Sequence, residues 1–462
     1  MATETTERQG YFAGWTLRRE GIIAPTERPP WGQSIFLGLQ HVLAMFGATV
    51  LAPILMGFDP NTAIFFSGIG TIVFFLIVGG RVPSYLGSSF SFIAVVLTAT
   101  GFASGFKGPG LNPNISVALG GIIAAGVVYA IIGIIVIFSG YKWIDYLLPP
   151  VVTGAVVAVI GLNLAPVAVS EASASPFDTV MALVTILAVA AIAVYAPGPL
   201  RRLPVLLGGI IGYLVYLLFA NGFMLGKAID FSGVANANWV GLPNFTTPTF
   251  NVNAISLIAP VAIILVAENT GHVKAVAAMT GRSLDKYLGR AFLGDGLATT
   301  LAGFGGGTGV TTYAENIGVM AVTRIYSSLV FLIAAVVALL LGFCPKFGAL
   351  IRTIPLGVLG GLTIVLFGLI AATGGRIWVQ NRVDFSKSRN LLTAAVALTI
   401  GAGNLAINIG NFTLSAIGVA TFGAIILYQI LREREPQPEE MVTADSAVGL
   451  DPGAEPQSGT GE

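Results

Sequence analysis

Residues 311–324 read TTYAENIGVMAVTR, a carboxylate and an amide at the head of a short helical run inside one of the most apolar parts of the chain. A charge is hardest to tolerate there. The start of a helix supplies a reason, because its first backbone N–H groups lack partners and the positive end of the helix dipole lies among them. An ionised Glu315 is stabilised at such a place, and the same N–H groups can donate to the oxygens of a ligand. Glu315 or Asn316 could serve only as a cap, but Ser or Asn caps a helix without burying a carboxylate. A helix that begins inside an apolar stretch reads as a broken membrane crossing.

Of the 462 residues, 55% are hydrophobic and only 10% charged, against roughly a quarter charged in ordinary globular domains. The chain reads as an all-α polytopic membrane protein. Apolar runs long enough to cross ~30 Å of hydrocarbon recur near 33–57, 62–79, 116–138, 146–165, 178–196, 203–221, 254–274, 288–304, 325–343, 354–372, 390–408 and 411–431. Two broken segments, near 83–104 and 308–324, bring the expected number to fourteen. With the N-terminus in the cytoplasm, 19 of the 23 Lys and Arg then fall on the cytoplasmic side, and only Lys107, Lys227, Lys346 and Arg352 fall outside. That asymmetry is the positive-inside pattern, and thirteen crossings would scramble it.

Arg18, Arg19, Glu20 and Pro29-Pro30 precede any apolar run, so no cleavable signal is expected at the start. The single cysteine, Cys344, excludes an intramolecular disulfide and a cysteine metal cluster. A net charge of +1 gives no reason to expect a nucleic-acid partner. Residues 432–462, rich in Glu, Pro, Gly and Ser, are expected to form a disordered cytoplasmic tail.

The broken segments occupy corresponding places. Residues 80–90, GRVPSYLGSSF, follow two crossings from the start, and residues 306–316, GGTGVTTYAEN, follow two crossings of the second half. LPPVVTG at 148–154 and IPLGVLGG at 354–361 open crossings five and twelve, again seven apart. A repeat of seven crossings enters the membrane from the opposite side in its second copy. Inverted repeats with interrupted helices in matching places point to a secondary transporter with a midplane site. The plainer alternative, long loops with short helices attached, leaves the charge division and the paired prolines as coincidences.

Inside the apolar runs the ionisable groups are His41, Glu268, His272, Asp295 and Glu315. Each carries a burial cost and is a functional candidate for that reason. Glu268 and His272, in ILVAENTGHVKAV, are four apart and share a helix face. Such a pair can hold or share a proton and bond a ligand; a structural helix–helix hydrogen bond is the alternative. The zinc signature HExxH is not met. The partner half-helix starts at GSSFSF, with Ser88, Ser89 and the backbone near Phe90. Two helix starts aimed at one spot, with two glutamates, suit a small planar ligand bearing carbonyl oxygens and N–H groups, such as a uracil ring. A simple anion would be repelled.

At these residues the chain resembles the nucleobase cation symporter-2, or nucleobase ascorbate transporter, family. Its signature is Gln, Glu or Pro, then Asn-x-Gly-x4-Thr, then Arg, Lys or Gly, and residues 315–324, ENIGVMAVTR, match every fixed position. Gln40-His41 resembles the family's Gln-His pair, and Glu268 and His272 match its positions in crossing eight. The similarity runs from about Pro29 to Leu431 and lies nearest the uracil and pyrimidine permease branch.

The resemblance implies a core domain of crossings one to four and eight to eleven (33–143 and 254–345) and a gate domain of the other six (144–221 and 346–431). A cytoplasmic segment at 1–32 and an extracytoplasmic loop at 222–253 complete the division. It implies a proton-coupled symporter without cofactor, in the inner membrane with both termini cytoplasmic, and a homodimer. Glu268 and Glu315 would bond the base, Phe90, Ala314 and Ser89 would surround it, and Tyr313 would line the ring. His272 would support Glu268, and Asp295, His41 and Asn316 would join them in proton coupling and its support. Gln is common at position 315 in xanthine and uric acid carriers, so Glu favours uracil or thymine; Asp295 is common in purine-type relatives and keeps a purine or xanthine symporter as the alternative. A sulfate-type exchanger is disfavoured by the two glutamates, and a membrane hydrolase by the lack of a nucleophile with its base.

Overall fold

Proline starts and glycine stops punctuate the helices. Pro60, Pro150 and Pro176 stand at first helical positions, where their missing N–H costs nothing. Gly57 and Gly79 close the first two helices in the left-handed conformation that a side chain disfavours. The computed structural model describes residues 11, 12, 14–102, 111–409 and 412–431. Among these, β1 (Thr16–Leu17) and β2 (Glu27–Arg28) precede α1 (Trp31–Met56) and α2 (Pro60–Val78). Then come β3 (Leu86–Ser88), α3 (Ile93–Thr100), α4 (Ile115–Ser139), α5 (Lys142–Leu147), α6 (Pro150–Ala172), α7 (Pro176–Tyr195), α8 (Pro204–Leu217) and the short α9 (Ser232–Asn236). The second half holds α10 (Val252–Ile258), α11 (Val261–Thr280), α12 (Leu288–Gly305), β4 (Val310–Thr312), α13 (Ala314–Thr323), α14 (Ser328–Gly342) and α15 (Pro345–Ile351). It ends with α16 (Leu356–Gln380), α17 (Ser388–Ala402), β5 (Ile407–Ile409), β6 (Phe412–Leu414) and α18 (Ala416–Ile430).

Eight helical spans among the described residues are long and apolar enough to cross a bilayer, nine if α14 and α15, bent by 87°, count as one. The remaining expected crossings fall on shorter or less apolar helices, notably the two half-helices α3 and α13. The expected tail at 432–462 and Lys107 lie outside the described residues. Three features differ from the sequence reading. The run expected at 146–165 is two helices, α5 and α6; α10 and α11 are parted at Ala259-Pro260; and within residues 14–30, β1 pairs with β2 and Ile23 docks on the second half. Ile23 N donates to Arg324 O at 3.1 Å, and Tyr326 N donates to Ile23 O at 2.8 Å.

β3 and β4 pair antiparallel, Leu86 with Thr312 and Ser88 with Val310. The helix contacts come in matched sets around this ribbon. α4 packs on α12 as α2 packs on α14, α7 on α8 as α17 on α18, and α6 on α17 as α16 on α7. Two groups result: the first holds α1, α2, α4, α11, α12 and α14, and the second holds α6–α8 with α16–α18.

Lipid offers no hydrophobic drive between helices, so close backbone approach has to supply the attraction. Between α4 and α12 it is glycine that permits it. A Cβ on Gly126 would lie 2.7 Å from Thr300 N and 2.8 Å from Gly296 O, and one on Gly289 would lie 2.7 Å from Ile137 N. Gly126→Val should therefore destabilise the protein by about 1–3 kcal/mol through overpacking, seen as a lower unfolding temperature in detergent. Gly375→Ala, which meets open space, should leave that temperature unchanged.

Candidate functional site

Each strand of the ribbon leads directly into a helix start. After β3, Ser89 accepts a hydrogen bond from Ser91 N and opens a single turn, Phe90–Phe92, that continues into α3. After β4, Tyr313 precedes α13, whose second residue is Glu315. The two helices leave opposite ends of a ribbon that three strand residues make about 10 Å long. That span matches a flat heterocycle with a hydrogen bond at each side.

The sequence-predicted residues fall into two layers. Phe90, Ser89, Tyr313, Ala314, Glu315 and Glu268 gather at the ribbon. Glu268 on α11 is half-buried and accepts from Ser91 Oγ at 3.4 Å, and Glu315 is close enough for the two carboxylates to act on each other. Glu315 stands in the first turn of α13, where backbone N–H groups lack helical partners. Tyr313 is fixed by its hydroxyl, which donates to Ser88 O at 2.8 Å and accepts from Thr49 Oγ1 at 3.2 Å.

His272, His41, Asn316 and Asp295 stand behind. His272 Nδ1 lies 2.9 Å from Thr312 Oγ1 on β4, so its hydrogen bond goes to the ribbon and not to Glu268. Asn316 Nδ2 lies 3.0 Å from both His41 Nδ1 and His41 O, tying α13 to α1. Asp295 is wholly buried, accepting from Asn269 Nδ2 at 2.6 Å and from Tyr129 at 3.5 Å on the far side of α11.

Several residues here were not legible in the sequence. Asn269 adjoins Glu268, yet one helical step of about 100° turns it away from Glu268 and onto Asp295. Ser91 and Thr312 are ordinary hydroxyls until the ribbon places them. Phe367, on α16 of the other helix group, meets Phe90 edge-on at 5.8 Å between ring centres, and only tertiary structure could reveal that.

Ala314, Gly318 and Val322, spaced four apart on α13, are exposed, and nothing lies within 4 Å of a Cβ placed on Gly318 or on Gly271.

Interrupted helices meeting at a half-buried pair of carboxylates, inside a bundle of apolar spans, define a membrane transporter rather than an enzyme. A family model described as "Permease family" matches residues 32–410. The chain belongs to this family, the nucleobase cation symporter-2 permeases. It is 60% identical over 435 residues to the Escherichia coli protein named "Putative pyrimidine permease RutG", covering 93% of this chain and 98% of that one. It is 42% identical to the uracil permease of Bacillus caldolyticus (91% and 96% covered) and 40% to that of Escherichia coli (92% and 98%). The fold is shared with the transmembrane domain of the cyanobacterial bicarbonate transporter BicA (TM-score 0.58, 15% identity, 86% and 96% covered). It is shared also with the inward-facing murine anion transporter Slc26a9 (TM-score 0.63, 12% identity, 88% and 69% covered).

Replacing Asn316 with Leu removes the bonds that tie α13 to His41 of α1 and leaves the buried His41 ring without that partner. The expected cost is about 1–3 kcal/mol for an unpaired buried group, read as a fall in unfolding temperature in detergent; an unchanged temperature would show that the α1–α13 tie contributes nothing.

Proposed function

We propose that the protein imports uracil and related pyrimidine bases with a proton, by alternating access across the cytoplasmic membrane. The observation that carries this reading is the pair of half-helix starts at the β3–β4 ribbon, facing Glu268 and Glu315. Free N–H groups at the helix starts donate to ring carbonyl oxygens, the carboxylates accept ring N–H groups, and Phe90 and Tyr313 flank the ring. The names of the uracil permeases among the relatives support the same choice of base.

In this reading the chain crosses the membrane fourteen times as two inverted seven-segment repeats, with both termini cytoplasmic. The matched helix contacts and the antiparallel ribbon support it. Helices α6–α8 and α16–α18 form the gate, through which two copies associate, and the remainder form the core. Glu268 carries the coupled proton, and His272 supports it indirectly by holding Thr312 and thus the ribbon.

Counterflow of labelled uracil in proteoliposomes, competed with a panel of unlabelled bases, tests the assignment. Uracil and thymine should compete and xanthine should not; competition by xanthine alone would replace the reading with the purine symporter. Glu268→Gln should abolish uptake driven by a pH gradient while leaving exchange measurable. Undiminished gradient-driven uptake would move the proton elsewhere. Glu315→Gln turns an acceptor oxygen into a donor that meets the ring's own N–H. Losing that bond costs about 1–3 kcal/mol, roughly ten- to a hundredfold in uracil affinity, measured by calorimetry; equal binding would leave Glu315 as a cap only.

A further inference from the structure

Two corners of the chain share a pattern that the binding site does not explain. One is α5, which links α4 to α6; the other is the step from α15 into α16. In α5, Asp145 is ion-paired with Lys274 on α11, while the carbonyl of the next residue, Tyr146, accepts from Gln429 Nε2 on α18 at 2.8 Å. After α15, Arg352 Nη2 donates to Asp59 Oδ1 at 2.8 Å, while the hydroxyl of the next residue, Thr353, lies 2.7 Å from that of Tyr213 on α8. At both corners one residue is held by the first helix group and its neighbour by the second.

The holding elements correspond as the repeat requires. α8 and α18 are the last helices of their halves, and Asp59 and Lys274 lie near the ends of the first and eighth crossings. The charges are reversed between the two corners, so their likeness lies in the mechanics and not in copied residues. Both linkers are further seated on the first group. Phe347 of α15 packs on Phe46 of α1 at 5.4 Å, and Asn61 Nδ2 donates to Cys344 O at 2.8 Å. Trp143 of α5 donates to Ser139 Oγ at 3.0 Å at the end of α4. Asp59 also accepts from Asn244 Nδ2 at 2.7 Å.

We infer that Asp145-Tyr146 and Arg352-Thr353 are the two hinges of the transport cycle. The ion pair pins each linker helix to the core, and the bond to the following residue delivers the gate's movement to a single backbone step. This rests on the alternating-access reading above. The Asp145–Lys274 pair is exposed and adds little to stability, so its expected role is to fix where the chain bends.

The test uses the full chain with Asp145→Lys and Lys274→Asp, singly and together. Each single variant should slow uracil counterflow about fivefold, the scale of one exposed pair, with uracil affinity by calorimetry unchanged. The double variant, with the pair reversed, should recover most of the wild-type rate. Tyr213→Phe should slow exchange in the same way at the other corner. Spin labels on α12 and α17, in a Cys344→Ser background, should show a broadened distance distribution in the single variants that narrows again in the double one. Wild-type rates and distances in the single variants, or a double variant no better than either, overturn the hinge. The distances need no substrate, so a protein that ignored uracil but showed them would refute the uracil reading and leave the hinge standing.

Discussion

The structure depends on six strand residues pairing in the middle of a membrane. Extended backbone at that depth has no water to satisfy its polar groups, and an unsatisfied group costs several kcal/mol. β3 and β4 solve this for each other, and Thr71 and Thr299 bond the residual backbone at Leu86 and Val310. Because the pair is antiparallel and short, it fixes both half-helices at once. Tyr313 and the residues that open each half-helix take their place from that ribbon, the Tyr313 hydroxyl spanning back to Ser88.

The two helix groups differ in how they meet the ribbon. The first group encloses it through close glycine-mediated contacts and buried polar pairs such as Asn316 with His41 and Asn269 with Asp295. The second touches it through apolar surface, chiefly Phe367 on Phe90. Polar bonds are directional and costly to leave unpaired, whereas ring contacts slide. The polar groups at the ribbon thus lie on the first group, and the second meets the ribbon through a ring contact.

Much of this was legible in the sequence, for identifiable reasons. Gly and Ser clusters interrupting apolar runs marked both half-helices, because membranes tolerate such residues only where backbone is otherwise satisfied. Glu268 and Glu315 stood out because charge is rare in such runs. The linker helices α5 and α15 did not stand out, being six and seven residues long and merging with their neighbours in any hydropathy window. The partner of His272 was missed for a different reason. Helical spacing puts Glu268 on its face, but β4 of the other crossing offers Thr312 closer, and spacing along one helix says nothing of a strand that threads beside it. The docking of Ile23 on Arg324 and Tyr326 was equally hidden, since a short polar segment carries no periodicity.

The ribbon also has a bearing on biosynthesis. Ser88 and Val310, which face each other across it, are 222 residues apart in the chain. At about 5–20 residues per second, β3 waits on the order of 10–40 s in the bilayer before its partner is made. During that interval the first half carries an open strand edge at hydrocarbon depth. It is therefore an assembly intermediate that the insertion machinery, a lipid defect or trapped water has to shelter, and the protein is complete as a folding unit only when the second half arrives.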